Sequence, residues 1–277
     1  MDVLREDVLQ ANIELHSQLA DVYKESEPHY RPENRARVEK IIQSICPGPD
    51  ANLLDVGCGM GFIIDIARNF FGTIRGVDIT KAMLDKVDCN SDTCNIQVQI
   101  AEVENMPFEA RSFDVVTAYA VMHHLHSLKP AFEEIYRVLK FGGCFYTDTD
   151  PNYYFWKAFR DLSENGNYSA SVKREIDAVQ TKDKELFEMF GILPDVLNTA
   201  EILKHDAGGF NADELEILLR EVGFSKAKVY YEWYVGEARV IHSDDTRGSA
   251  DEIRMIMNEL LPLTKHLFKY LRIMAIK

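Results

Sequence analysis

The stretch LLDVGCGMGF, Leu53 to Phe62, runs from strand-forming residues into three alternating glycines, Gly57, Gly59 and Gly61. Branched and large apolar residues favour a pleated, buried strand. Glycine accepts left-handed backbone and lets another group approach the main chain closely. The next residues, GFIIDIARNFF, read as a helix with Ile63, Ile64, Ile66, Ala67 and Phe70 turned inward. Strand, glycine loop and helix in this order form the opening unit of an open α/β sheet that binds a ligand at the loop.

The same rhythm continues downstream. TIRGVDI reads as a strand, TKAMLDKV as a helix and IQVQIAE as a third strand. FDVVTAYAVM is a fourth strand, LKPAFEEIYRVLK a helix and GGCFYTDTD a fifth strand. Alternation of this kind predicts a Rossmann-like, doubly wound α/β fold. NADELEILLREVGF is a helix with Asn211 as N-cap and Gly223 as its stop, followed by the strand AKVYYEWYV. SADEIRMIMNELLPLTKHL then reads as a helix and YLRIMAIK as a last strand, completing a seven-stranded, mostly parallel sheet. Upstream, apolar spacing predicts one helix over residues 3–24 and, after the two prolines of SEPHYRP, a second from Glu33 to Ser44. The expected division is an N-terminal helical cap (1–47), a ligand-binding core (48–151), a helical lid insertion (152–210) and a C-terminal completion of the sheet (211–277).

A dinucleotide loop reads G-x-G-x-x-G, its third glycine admitting close helix–strand packing. Here that place holds Phe62, and Gly61 comes one residue early. The loop, GVDIT (Gly76 to Thr80), AEVENMPFEARSFDVV (Ala101 to Val116), HHL (His123 to Leu125) and RVLKFGG (Arg137 to Gly143) stand in one order. Together they resemble class I S-adenosylmethionine-dependent methyltransferases, in the small-molecule, type 11/25-like branch, over about Ala51 to Asp150. Phe141 departs from the usual LKPGG turn. The resemblance implies S-adenosylmethionine as cofactor. Asp55 then holds its amino group directly or through the loop, with Gly57, Gly59 and Gly61 leaving room. Asp78 accepts the ribose hydroxyls, Ile79 packs on adenine, and Glu102 and the Val103 N–H meet the ring. Tyr119 sits beside the methionine portion. Replacing Asp78 is expected to weaken cofactor binding and leave the empty protein's stability almost unchanged.

Ligands of such sheets lie beyond the carboxyl ends of the strands. His123 and His124, with Asp148 or Asp150 after the fifth strand, converge there, and His123, His124 and Asp148 form the candidate catalytic set. Tyr23, Tyr30, Tyr153, Tyr154, Trp156, His205, Phe210, Tyr231 and Trp233 are candidate walls for a small apolar or planar acceptor. No carboxylate stands at ligand spacing from the histidines, so no metal is expected.

The 277 residues carry 46% hydrophobic and 27% charged residues, enough for a substantial core. A net charge of −14 counts against nucleic acid and anionic membranes as partners. Five scattered cysteines without CxxC spacing read as reduced thiols, and the charged N-terminus lacks a signal-peptide core, so a cytoplasmic protein is expected. Oligomeric state is not legible. The competing functions are a non-catalytic S-adenosylmethionine-binding protein and an NAD-dependent oxidoreductase.

Overall fold

The computed structural model describes residues 3–162, 166–170, 172–177, 188–241 and 247–277. One sheet holds β1 (Asn52–Val56), β2 (Thr73–Asp78), β3 (Asn95–Ile100), β4 (Phe113–Tyr119), β5 (Leu139–Pro151), β6 (Lys226–Tyr234) and β7 (Phe268–Ile276). Their order is β3-β2-β1-β4-β5-β7-β6. The first five are parallel, and β7 enters antiparallel between β5 and β6. From β1 the chain passes to β2 on one side and later to β4 on the other, which makes the β1/β4 boundary the switch point where such sheets bind ligands.

The helices are α1 (Arg5–Leu19), α2 (Tyr23–Ser26), α3 (Pro32–Ile45), α4 (Phe62–Ala67), α5 (Lys81–Leu84), α6 (Leu128–Val138) and α7 (Tyr153–Arg160). After them come α8 (Pro194–Ala200), α9 (Ile202–His205), α10 (Ala212–Val222), α11 (Glu237–Ile241) and α12 (Arg247–Glu259). Neighbouring strand residues serve opposite layers, as period-two geometry requires. Leu53, Val115 and Cys144 pack with α3 and α4, whereas Leu54, Val116 and Phe145 pack with α6 and α10. A sheet covered on both faces explains why its central strands are apolar runs rather than alternating ones.

A separate apolar cluster joins Ala11, Leu15 and Leu19 of α1 to Ile192, Leu197 and Ala200. The N-terminal helix therefore packs on the insertion. That insertion is pinned at its base, where Tyr153 N–H donates to Phe210 O at 2.9 Å and Phe210 N–H to Pro151 O at 2.8 Å. Its parts at 163–165, 171 and 178–187 lie outside the described residues.

Local chemistry sets the ends of α10: Asn211 accepts from Asp213 N–H at 3.0 Å, and Gly223 stops the helix at φ 120°. The helix expected over 3–24 closes at Leu19, and a turn leads to α2. α4 ends at Ala67, which shifts the phase of the residues beyond it: Phe71 is buried and Phe70 only half-buried. β5 begins at Leu139, three residues before the expected glycine pair. Between Thr147 and Asp150 its register against β7 slips by one residue, with Thr149 at φ 67°. This is a β-bulge, and it re-aims the side chains that follow.

Candidate functional site

Two cavities adjoin at the carboxyl ends of β1, β2, β4 and β5. The smaller, about 110 Å³, is walled by Gly57, Gly59, Asp78, Ile79, Val103 and Tyr119, with Asn12, His16, Thr80 and Met83 opposite. The larger, about 460 Å³, is walled by His29, Asn34, His123, Trp156, Glu201, His205 and Trp233, among others. His16, Tyr23, Tyr119, Ala120 and His124 belong to both walls.

The glycine loop owes its path to backbone that side chains disfavour. At Gly57, φ is 61° and an added Cβ would stand 2.5 Å from Val121 Cγ2. Asp78 fixes the loop from β2: its Oδ2 accepts from Gly59 N–H at 2.9 Å and its Oδ1 from Thr80 N–H at 2.8 Å. Each oxygen retains a lone pair. Asp55 lies beneath the loop, 1% exposed, and accepts from Thr117 Oγ1 at 2.7 Å. Burial pushes its carboxyl up to about 7; the Thr117 hydroxyl opposes this and the nearby Asp78 charge adds to it.

Of the residues expected around the cofactor, Gly57, Gly59, Asp78, Ile79, Val103 and Tyr119 line the small cavity. Asp55 and Gly61 stand behind it, Gly61 as the N-cap of α4. Glu102 is tied to Arg5 of α1, which also pairs with Glu104. Tyr119 accepts from Asn34 Nδ2 at 2.9 Å, and burial pushes its phenol up to about 12, so it stays an O–H donor.

Three imidazoles meet where the cavities join. His123 Nδ1 lies 2.9 Å from Asp150 Oδ1, which also accepts the His123 backbone N–H at 3.2 Å. His124 Nδ1 lies 3.2 Å from Ala200 O, and His16 Nδ1 2.9 Å from Asn12 O. A carbonyl only accepts, so Nδ1 carries the proton in His124 and His16, and Nε2 keeps its lone pair. The Asp150 carboxylate fixes the same tautomer in His123. Burial, with His123 and His16 close by, holds His124 well below the usual imidazole range, so it is neutral.

Asp148 does not join this group. It is fully buried, 2.9 Å from Arg37 Nη2, with Tyr146 O–H donating at 2.8 Å. The bulge separates the two acids. Tyr146 and Asp148 share one face of β5, whereas Asp150 accepts from Thr147 Oγ1 at 2.8 Å on the other. In an unbroken strand Asp148 and Asp150 would point the same way.

Among the aromatic candidates, Tyr23, Trp156 and Trp233 reach the large cavity, as does His205. Tyr30 packs on Phe62, Phe210 lies in the core, Tyr231 packs on Phe268, and Tyr153 and Tyr154 pack on each other. Several wall residues carry no sequence signal of their own. Asn12 is buried mid-helix, where its Nδ2 donates to Val8 O, His124 O and Ala200 O at 2.9, 3.0 and 3.1 Å. Its Oδ1 is buried without a partner. Glu201, from the insertion, lies with its carboxylate and the His123 and His124 ring nitrogens within 4.8 Å of one another. No helix among the described residues is long and apolar enough to cross a membrane.

A doubly wound sheet with a glycine loop after β1, an acid ending β2 and a cavity over both defines a Rossmann-like ligand-binding domain. Residues 54–147 match the family described as methyltransferase domain. That stretch is a class I S-adenosylmethionine-dependent methyltransferase domain, and S-adenosylmethionine is the cofactor of that family. The chain is 32% identical to cycloartenol-C-24-methyltransferase 1 of Oryza sativa subsp. japonica over 155 residues, 51% of this chain and 44% of that one. It is 34% identical to the mitochondrial arginine-hydroxylase NDUFAF5 of Mus musculus over 94 residues, 33% of this chain and 26% of that one. The chain thus spans less than half the length of these relatives. The fold is also that of phosphoethanolamine N-methyltransferase 2 of Haemonchus contortus, solved with S-adenosylhomocysteine (TM-score 0.57, 16% identity, 99% of this chain and 59% of that one).

Proposed function

We propose that the protein transfers a methyl group from S-adenosylmethionine to a small molecule held in the larger cavity. The observation that carries this reading is the shared wall: the cavity over the glycine loop adjoins a second, histidine-lined cavity, with Tyr119, Ala120 and His124 common to both. When bound, S-adenosylmethionine supplies an activated methyl on a sulfonium whose leaving group departs neutral.

The cavity suits that cofactor on three counts. Gly57 and Gly59 bring bare backbone to it, Asp78 offers two anionic acceptors, and the Asn12 Oδ1 atom is a buried acceptor with no protein donor. Asp78 would hold the ribose diol, Ile79 and Val103 the adenine, and Asp55 the amino group through the loop it underlies. Glu102 would reach the adenine amino group only by sharing its carboxylate with Arg5. His123, held by Asp150, would take the acceptor's proton at Nε2, and His124 would orient the acceptor. Asp148 would serve instead as the counter-ion of Arg37, bracing α3 against β5.

A cavity of about 460 Å³, bearing Tyr23, Trp156 and Trp233, matches a planar or apolar small molecule better than a polypeptide. The plant relative is named for methylation of a sterol, whereas the mouse relative is named as an arginine hydroxylase. Likeness over the shared domain therefore does not by itself fix the reaction. α1, α7, α8 and α9 would form the lid, within a cap at 1–47 and an insertion at 152–210. Titration calorimetry is expected to give S-adenosylhomocysteine binding and none for NAD. An acceptor screen should then release S-adenosylhomocysteine. Tight cofactor binding with no turnover on any small molecule would favour the non-catalytic reading.

The Asp55 carboxyl makes that binding pH-dependent. Its pKa of about 7 lies far above that of an unfolded Asp. The empty protein gains stability from it fully below about pH 4 and loses that gain as pH rises through about 7. A bound ammonium favours the ionised form, so affinity should move the opposite way. S-adenosylhomocysteine is expected to bind at least about tenfold more tightly at pH 7.5 than at pH 5.5. Asp55→Asn should flatten that profile; an equally steep profile in the variant would assign the dependence elsewhere.

A further inference from the structure

Nε2 atoms prepared for a proton are equally prepared for a metal ion. We propose that His123, His124 and Glu201 form a binding site for a divalent transition-metal ion such as Zn²⁺ or Co²⁺. The ion and the acceptor's proton would compete for it. The site itself stands on geometry alone; only its inhibitory consequence rests on the methyl-transfer reading.

Three observations converge. First, one nitrogen of each ring and a Glu201 oxygen lie within 4.8 Å of one another, with His123 and Glu201 buried. Ligand atoms around tetrahedral zinc stand roughly 3.3 Å apart, so modest side-chain rotation closes the set. Second, both rings carry the outer support that metal-bound histidines need. Nδ1 of His123 faces a carboxylate and Nδ1 of His124 a backbone carbonyl, which fixes orientation and leaves Nε2 as the ligand atom. Third, the donor set is two imidazoles and one carboxylate, which suits zinc and its neighbours rather than magnesium or calcium. Three protein ligands leave a coordination position free, and the large cavity these residues line provides the space.

The carboxylate is held from behind. Lys204 sits on Glu201, and His205 Nε2 lies 3.3 Å from the same oxygen. Lys204 is a competing cation: it neutralises Glu201 when no metal is present and lowers the ion's affinity. Its removal should therefore strengthen the site. His16, whose ring centroid is 4.9 Å from that of His124, turns its Nδ1 to a backbone carbonyl and would offer Nε2 as a further ligand.

The test uses the whole chain stripped of metal by chelator. Cobalt titration is expected to reach saturation at one equivalent, with visible d–d bands. In protein with ¹⁵N-labelled histidine, Zn²⁺ should shift the Nε2 resonances of His123 and His124 and leave those of His126 and His266 in place. Glu201→Gln should weaken cobalt binding at least tenfold, and Lys204→Met should tighten it. Zinc should inhibit methyl transfer reversibly, and chelator should restore it. Absence of a saturable equivalent, zinc shifts confined to His126 or His266, or unchanged binding in a folded Glu201→Gln protein would overturn the site. If the metal binds and no acceptor is ever methylated, the site stands and the methyl-transfer reading falls. If methylation proceeds and zinc never binds, the reverse holds.

Discussion

His123→Gln is expected to lower kcat by about 10²- to 10⁴-fold, the usual contribution of a positioned general base. The amide nearly preserves the ring's volume and can still donate to Asp150, so the cavity wall should survive. S-adenosylhomocysteine affinity should not change, because His123 lines only the larger cavity. Asp150→Asn tests the same arrangement from behind. Its amide can donate to Nδ1, which moves the imidazole proton to Nε2 and removes the lone pair that the acceptor needs. A comparable fall in kcat is expected with folding intact. Single-turnover kinetics with an acceptor that the unaltered protein methylates reads both variants; full activity in either would show that the acceptor needs no base here.

Asp78→Ala carries the second large effect. Two charge-assisted hydrogen bonds to a diol are worth about 1.5–3 kcal/mol each, so cofactor affinity should fall by more than tenfold. The structure adds a cost that the sequence hides. The same two oxygens hold the backbone N–H groups of Gly59 and Thr80, so the empty protein should also lose stability, by about 1–3 kcal/mol. The sequence-based expectation of an almost unchanged melting temperature is thereby corrected. Calorimetric affinity and thermal unfolding of the empty variant separate the two effects. Lower stability with unaltered affinity would make Asp78 a loop brace alone.

The architecture was largely legible because it is written in local terms. Strand-forming runs, glycines and helix caps recur at fixed spacing, and Asn211 and Gly223 end their helix as their chemistry demands. The cavity over the glycine loop was legible for the same reason, since Gly57, Gly59, Asp78 and Ile79 cluster at two strand ends. The opposite walls were not. Asn12 shares one helical stripe with Val8, Leu15 and Leu19, and His16 lies one turn beyond Asn12, but nothing in that spacing says that the stripe meets a cavity as well as a core. Glu201 reaches His123 and His124 from 77 positions beyond His124, a separation only tertiary packing can close. Phe71 displaced Phe70 because α4 stops at Ala67, and helix ends are the weakest sequence signal.

The bulge at Thr149 also governs how this chain compares with its relatives. Counting by twos along a regular strand would seat Asp148 and Asp150 as neighbours on one face, two like charges in a dry interior. The additional residue gives each acid its own side of the sheet: Arg37 answers one, His123 the other. Deleting Thr149 would close the bulge and make the two acids neighbours in sequence, and strand alternation would still hold them on opposite faces. Sequences of this length class that differ by one residue in the fifth strand should therefore be matched by face, and not by letter, before an aspartate is paired with its histidine.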